Sequence, residues 1–161
     1  MVYRQIYKRC SRKDKNYCTI FKKKSSYALP KLRDIQSKLN MKDLKLKQDV
    51  PTRWNSTFEM LERVLKNKEA IISTLAILDS RFTLDGSEWE IIEHSVNLLK
   101  VFNEVTIEIL SEKNVSLSKS ALLSKILRRK VYQYAADQNL PMQVKKLSDE
   151  LINEMGKRFT S

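Results

Sequence analysis

Glycine and proline are scarce in this sequence, with 2 Gly and 3 Pro in 161 residues. A sandwich or barrel reverses direction roughly every ten residues and draws its turns largely from those two residue types. Their scarcity argues against an all-β fold. A glycine-rich phosphate loop is also excluded, because the two glycines are Gly86 and Gly156, far apart in the chain. Histidine occurs once, as His94, and cysteine twice, as Cys10 and Cys18, without CxxC spacing. This set cannot supply a Cys2His2 zinc site, and it suits a reduced intracellular compartment. The most apolar run, AIISTLAIL (70–78), is far shorter than the ~20 residues a spanning helix needs. No apolar h-region of a secretory leader follows Met1. The expectation is therefore no membrane span, no metal and no cofactor.

The N-terminal third is also poor in acid. Residues 1–50 hold 15 Lys/Arg against 4 Asp/Glu, a net of +11, whereas residues 51–161 hold 16 against 15, a net of +1. Nearly all of the chain's +12 therefore lies before residue 51. A segment of this kind suits polyanions, above all nucleic acid, through phosphate contacts and counterion release. The competing reading is a solvated lysine face that serves only solubility.

The apolar residues carry helical periodicity. Within 22–40, Leu32, Ile35 and Leu39 lie on one face of a helix, with Pro30 placed in its first turn, where its missing N–H costs nothing. MKDLKLKQDV (41–50) alternates Leu44 and Leu46 with lysines, the pattern of a short strand or an extended connector. Pro51 favours extended geometry at Val50. STFE (56–59) has capping-box form, and Phe58, Leu61, Leu65, Ile72 and Leu75 mark one helix running to about Asp79. SRFTLDG (80–86) reads as a turn, with Gly86 free to take positive φ. A second capping box, SEWE (87–90), opens a helix striped by Trp89, Ile92, Val96, Leu99, Phe102 and Val105. Leu122, Leu123, Ile126, Leu127, Val131 and Tyr134 mark another. NLP (139–141) breaks it, and a last helix carries Val144, Leu147, Leu151 and Met155 inward. The fold class is mainly α: an irregular multi-helix bundle, with one short strand or connector before residue 51. Its organisation is a basic segment with one helix (1–50) and a helical domain (51–161).

Several groups could carry chemistry. The pairs Glu59/Glu62, Glu90/Glu93 and Glu104/Glu108 have helical spacing. Two carboxylates on one helix face could hold Mg²⁺, but outward-facing pairs without ligands from other elements suit a solvated face better. His94 has no nucleophile at suggestive spacing, so a general-base role is unsupported. Tyr132 and Tyr134 beside RRK (128–130) could form a small nucleic-acid patch, although cations near a helix end are the simpler account of the run. Arg53 and Trp54, in QDVPTRWNST (48–57), stand out. Trp54 could staple the entrance of the following helix. Alternatively, Arg53 could clamp a phosphate and Trp54 stack on a base drawn out of its duplex.

The segment LKQDVPTRWNSTFEMLERVLKNKEAI (46–71) resembles the arginine–tryptophan segment of hAT-superfamily DNA transposases. The likeness is greatest to the branch that includes zinc-finger BED domain-containing proteins, host genes derived from such transposable elements. FKKKSSYALPKLRDIQSKL (21–39) resembles the stretch before that segment, and EWEIIEHSVNLLKVFNEVTIEILSEKNVSLS (88–118) the stretch after it. The resemblance implies a place in the helical insertion of a ribonuclease-H-like nuclease, whose three acidic residues hold divalent metal ions. It also implies that Trp54, beside Arg53, matches a tryptophan that stabilises a flipped base near the cut site. The three catalytic acids have no match here, and Asp49 is not one of them.

The expectation is a non-catalytic piece of a hAT transposase-like, BED zinc-finger-type nuclear protein. It binds DNA with little sequence specificity through Lys22, Lys23, Lys24, Lys45, Lys47, Arg53 and Trp54. KKK (22–24) and RRK (128–130) are candidate nuclear-import runs. The alternative is a helical protein–protein interaction module without nucleic-acid binding, which meets a partner or a second copy through exposed helix faces.

Overall fold

Helical periodicity in the sequence becomes helix in the computed structural model, which describes residues 25–47, 50, 55–78, 84–111 and 117–158. Among the described residues there are six helices and no strand: α1 (Ser25–Lys38), α2 (Ser56–Lys66), α3 (Lys68–Ile77), α4 (Gly86–Leu110), α5 (Leu117–Ala135) and α6 (Met142–Arg158). The chain divides into two compact units, with the boundary between Trp89 and Glu90, inside α4.

In the first unit α1 packs on α3, and α3 on α2. Ala28, Leu32 and Ile35 are buried on α1, Phe58, Met60, Leu61 and Val64 on α2, and Ala70, Ile71 and Leu75 on α3. Pro30 lies well inside α1, not in its first turn. Its ring removes a backbone donor and crowds the carbonyl four residues back. The helix nevertheless begins earlier, because packing buries Ala28 completely. The end of α1 is set by Asn40 at φ 52. The Met41 N–H reaches the Gln36 carbonyl at 2.8 Å, and the Asn40 N–H reaches that of Ser37 at 3.1 Å. This is a Schellman closure with asparagine in the left-handed position. Leu39 consequently leaves the helical face and is exposed.

The single helix expected over 56–79 is two helices. Asn67, at φ −104 and ψ 13, separates α2 from α3. Its N–H bonds the Val64 carbonyl at 3.1 Å, so the Arg63 carbonyl loses its helical donor. The Asn67 side chain replaces that donor, with Nδ2 on the Arg63 carbonyl at 2.8 Å. Nδ2 also reaches the Leu44 carbonyl at 3.3 Å, and Oδ1 accepts from Gln36 Nε2. Gln36 Nε2 donates to the Leu44 carbonyl as well, at 3.1 Å. Gln36 and Asn67 are both almost fully buried. A polar knot thus joins α1, the connector and the α2–α3 break, where an unpaired amide would be costly. The break also turns Ile72 outward, leaving it 46% exposed, while Ile71 and Leu75 point in.

Neither expected capping box forms at its expected place. The Ser56 hydroxyl turns back to Val50: Oγ accepts from the Val50 N–H at 3.0 Å and donates to its carbonyl at 2.8 Å. Further along, the box forms two residues early. Asp85 Oδ1 takes the Glu88 N–H at 2.8 Å, and Glu88 Oε2 takes the Asp85 N–H at 3.1 Å. Ser87 supports it by donating to Asp85 Oδ1 at 2.6 Å. Gly86 therefore opens α4, and no described glycine has positive φ.

The second unit closes around Leu98 and Phe102 of α4, Leu127 and Val131 of α5, and Leu140, Val144, Leu147, Leu151 and Met155 on or just before α6. Pro141 ends the break, and its carbonyl takes the N–H groups of Val144 and Lys145 at the start of α6. Leu122 and Ile126 do not join this core and are 57% and 40% exposed. The inward face of α5 is carried by Leu127 and Val131 instead.

Candidate nucleic-acid interface

The described part of the basic third is α1 and the connector over 41–47. The connector forms neither helix nor strand, and its burial alternates: Leu44 and Leu46 are half-buried, and Lys45 and Lys47 are exposed. The alternation in burial leaves both lysines facing solvent. The connector is not free to drift, because its Leu44 carbonyl accepts from Gln36 and Asn67. Lys47 Nζ pairs with Glu59 Oε2 at 2.7 Å, and Lys45 is exposed to solvent.

Two ties bracket the stretch that contains Arg53 and Trp54. The Ser56 hydroxyl holds both backbone groups of Val50, and Glu59 in the first turn of α2 holds Lys47. The Glu59 N–H also reaches the Asn55 carbonyl at 3.0 Å, starting the helix. Val50 and Ser56 are therefore held close together. Arg53, Trp54, Lys22, Lys23 and Lys24 lie outside the described residues. Of the expected site residues, Lys45 and Lys47 are brought together on the connector. Sequence reasoning missed Ser56 as the clamp and the Gln36–Asn67 pair as the anchor. The available signal for the pair was two amides set on otherwise apolar helix faces.

The other candidate groups take structural positions. Glu62 pairs with Lys66, Glu104 with Lys100 and Glu108 with Lys119, all at the surface, where such pairs contribute little. Among the described residues no group of three His, Cys, Asp or Glu side chains could hold a metal ion. No helix among them is long and apolar enough to cross a membrane.

His94 and Tyr134 form a pair in the second unit. Tyr134 donates its one hydroxyl proton to the His94 carbonyl at 3.0 Å. Its oxygen lies 2.8 Å from His94 Nδ1, so Nδ1 must carry the hydrogen and donate. Burial, with the nearby charges of Asp137 and Glu93, pushes the Tyr134 hydroxyl from its ordinary 10.0 up to about 12. The sign follows from linkage: the folded state holds this proton more tightly than the unfolded one. The pair's stabilisation is therefore complete below pH 10 and is lost as pH rises towards about 12. A tyrosinate absorbance titration should show a late-titrating fraction that vanishes in Tyr134→Phe. An unchanged curve would assign that fraction to another tyrosine.

Comparison with known proteins gives two matches. Residues 12–98 match the family model described as the ZBED1 RNase-like helical domain. Zinc finger BED domain-containing protein 4 of Homo sapiens is 32% identical over 108 residues, which cover 67% of this chain and 9% of that protein. The chain thus corresponds to a small part of that relative's length. No solved structure is a significant match. The family match runs through Lys22, Lys23, Lys24, Lys45, Lys47, Arg53 and Trp54.

Proposed function

Because the chain belongs to the ZBED1 RNase-like helical domain family, we propose that it is a non-catalytic, DNA-contacting region of a transposase-derived, BED zinc-finger-type nuclear protein. The observation that carries this reading is the charge division, +11 over residues 1–50 against +1 over the rest, with its boundary inside the matched residues 12–98. The basic third meets backbone phosphates, which gives affinity but little sequence preference. Lys45 and Lys47 project from a connector anchored at Leu44. Arg53 and Trp54 lie in sequence between Val50 and Ser56, which the Ser56 hydroxyl ties together. In this reading Arg53 takes a phosphate and Trp54 stacks on an extrahelical base.

Fluorescence anisotropy with two labelled duplexes tests the proposal, one fully paired and one with an extrahelical base. The unaltered chain should bind both at low salt. Trp54→Ala should weaken binding to the extrahelical-base duplex about tenfold, from the loss of one stacked ring, and leave the paired duplex nearly unchanged. Failure to bind either duplex would overturn the reading. Equal losses on both, with a lower melting temperature, would make Trp54 a packing residue.

A further inference from the structure

Helix α5 is basic without relief. Its 19 residues carry Lys119, Lys125, Arg128, Arg129 and Lys130 and no Asp or Glu. Lys119 is tied to Glu108 at 2.7 Å, whereas the other four make no ion pair with any described residue. Lys125, Arg129 and Lys130 are exposed. Leu127 and Val131 are sealed in the core of the second unit, which fixes the opposite side of α5 as outward. Lys125 and Ile126 each lie three or four residues from both Leu122 and Arg129, so the four are neighbours on that outward side. Leu122 is 57% and Ile126 40% exposed, with Tyr132 at 50% on the same surface.

We propose that this face of α5 docks an acidic amphipathic helical segment of a partner protein. Its carboxylates meet Lys125, Arg129 and Lys130, and its aliphatic side chains cover Leu122 and Ile126. Charge complementarity selects an anion. Like charges at 125 and 129, one helical turn apart, repel one another until an anion arrives. The aliphatic pair selects the kind of anion. A duplex backbone would satisfy the cations but leave Leu122 and Ile126 against phosphate and water, whereas an amphipathic helix covers both sets. The inference goes beyond the DNA reading, since it concerns the other unit and a protein partner.

The test uses the full chain and a labelled synthetic helical peptide with leucines on one face and glutamates elsewhere. A scrambled peptide of the same composition, polyglutamate and a duplex DNA serve as comparators. The ordered peptide should bind about tenfold or more tightly than the scrambled one, the effect of covering two aliphatic side chains. The combined change Leu122→Ser and Ile126→Ser should remove that preference, and Arg129→Glu should weaken ordered-peptide binding about tenfold. Changing Lys22, Lys23 and Lys24 to alanine should leave peptide binding unaltered. Equal binding of the ordered and scrambled peptides by the unaltered chain overturns the proposal, whatever the variants do. Loss of duplex binding in Arg129→Glu with peptide binding intact would make the face a polynucleotide contact instead.

Discussion

Asn67→Ala should lower the stability of the first unit by about 3 kcal/mol, because it strips a buried polar knot of its centre. The side chain satisfies the Arg63 carbonyl, helps satisfy that of Leu44, and accepts from Gln36. Alanine offers none of these bonds. Each buried polar group left without a partner costs about 1–3 kcal/mol. Gln36 keeps one bond, to the Leu44 carbonyl, so the loss falls below the sum of three broken contacts.

Alanine is the better helix former and would favour a continuous helix through position 67. Straightening would swing Ile71 and Leu75, both nearly fully buried, off their present face, and their burial is worth more than the propensity gained. The chain therefore keeps the break and loses the bonds. Both tryptophans, Trp54 and Trp89, belong to this unit by sequence. Urea unfolding followed by tryptophan fluorescence therefore reports on the unit concerned. A loss under about 1 kcal/mol would mean that the knot is not a structural centre, since surface changes lie within that range.

The sequence made the helices legible because apolar residues recur every three or four positions in all of them. It hid the break at Asn67, because an asparagine amid such a pattern reads as a solvent-side residue. Its partner Gln36 is 31 positions away, and nothing local joins the two. Capping was ambiguous for a related reason. Asp85–Glu88 and Ser87–Glu90 share the same spacing, and the earlier pair forms because Asp85 also receives the Ser87 hydroxyl. Ser56 could reach forward to the first turn or back to Val50, and the choice depends on the path of the connector. Leu122 and Ile126 show that periodicity identifies apolar residues without saying which will find a core. For the candidate site, the charge division and the Arg53–Trp54 segment were legible in the residues, whereas the Ser56 clamp and the Gln36–Asn67 anchor are tertiary.

The proposed binding of DNA by the basic third, through counterion release from phosphates, sets the largest expected change in affinity. Each phosphate a lysine neutralises contributes about 0.9 to the slope of log K against log salt. Replacing Lys22, Lys23 and Lys24 with alanine removes three such charges. The slope should therefore fall in magnitude by about 2–3, and affinity near 0.1 M salt should drop on the order of a hundredfold. Lys145 and Lys146, exposed on α6, provide the control, because alanine there removes two cations outside the proposed contact. The most direct measurement is the salt dependence of duplex affinity for the unaltered chain, the triple variant and this double control. A steep line is expected for the first and third and a clearly shallower one for the second. Three parallel lines, or no dependence on salt at all, would contradict the proposed binding.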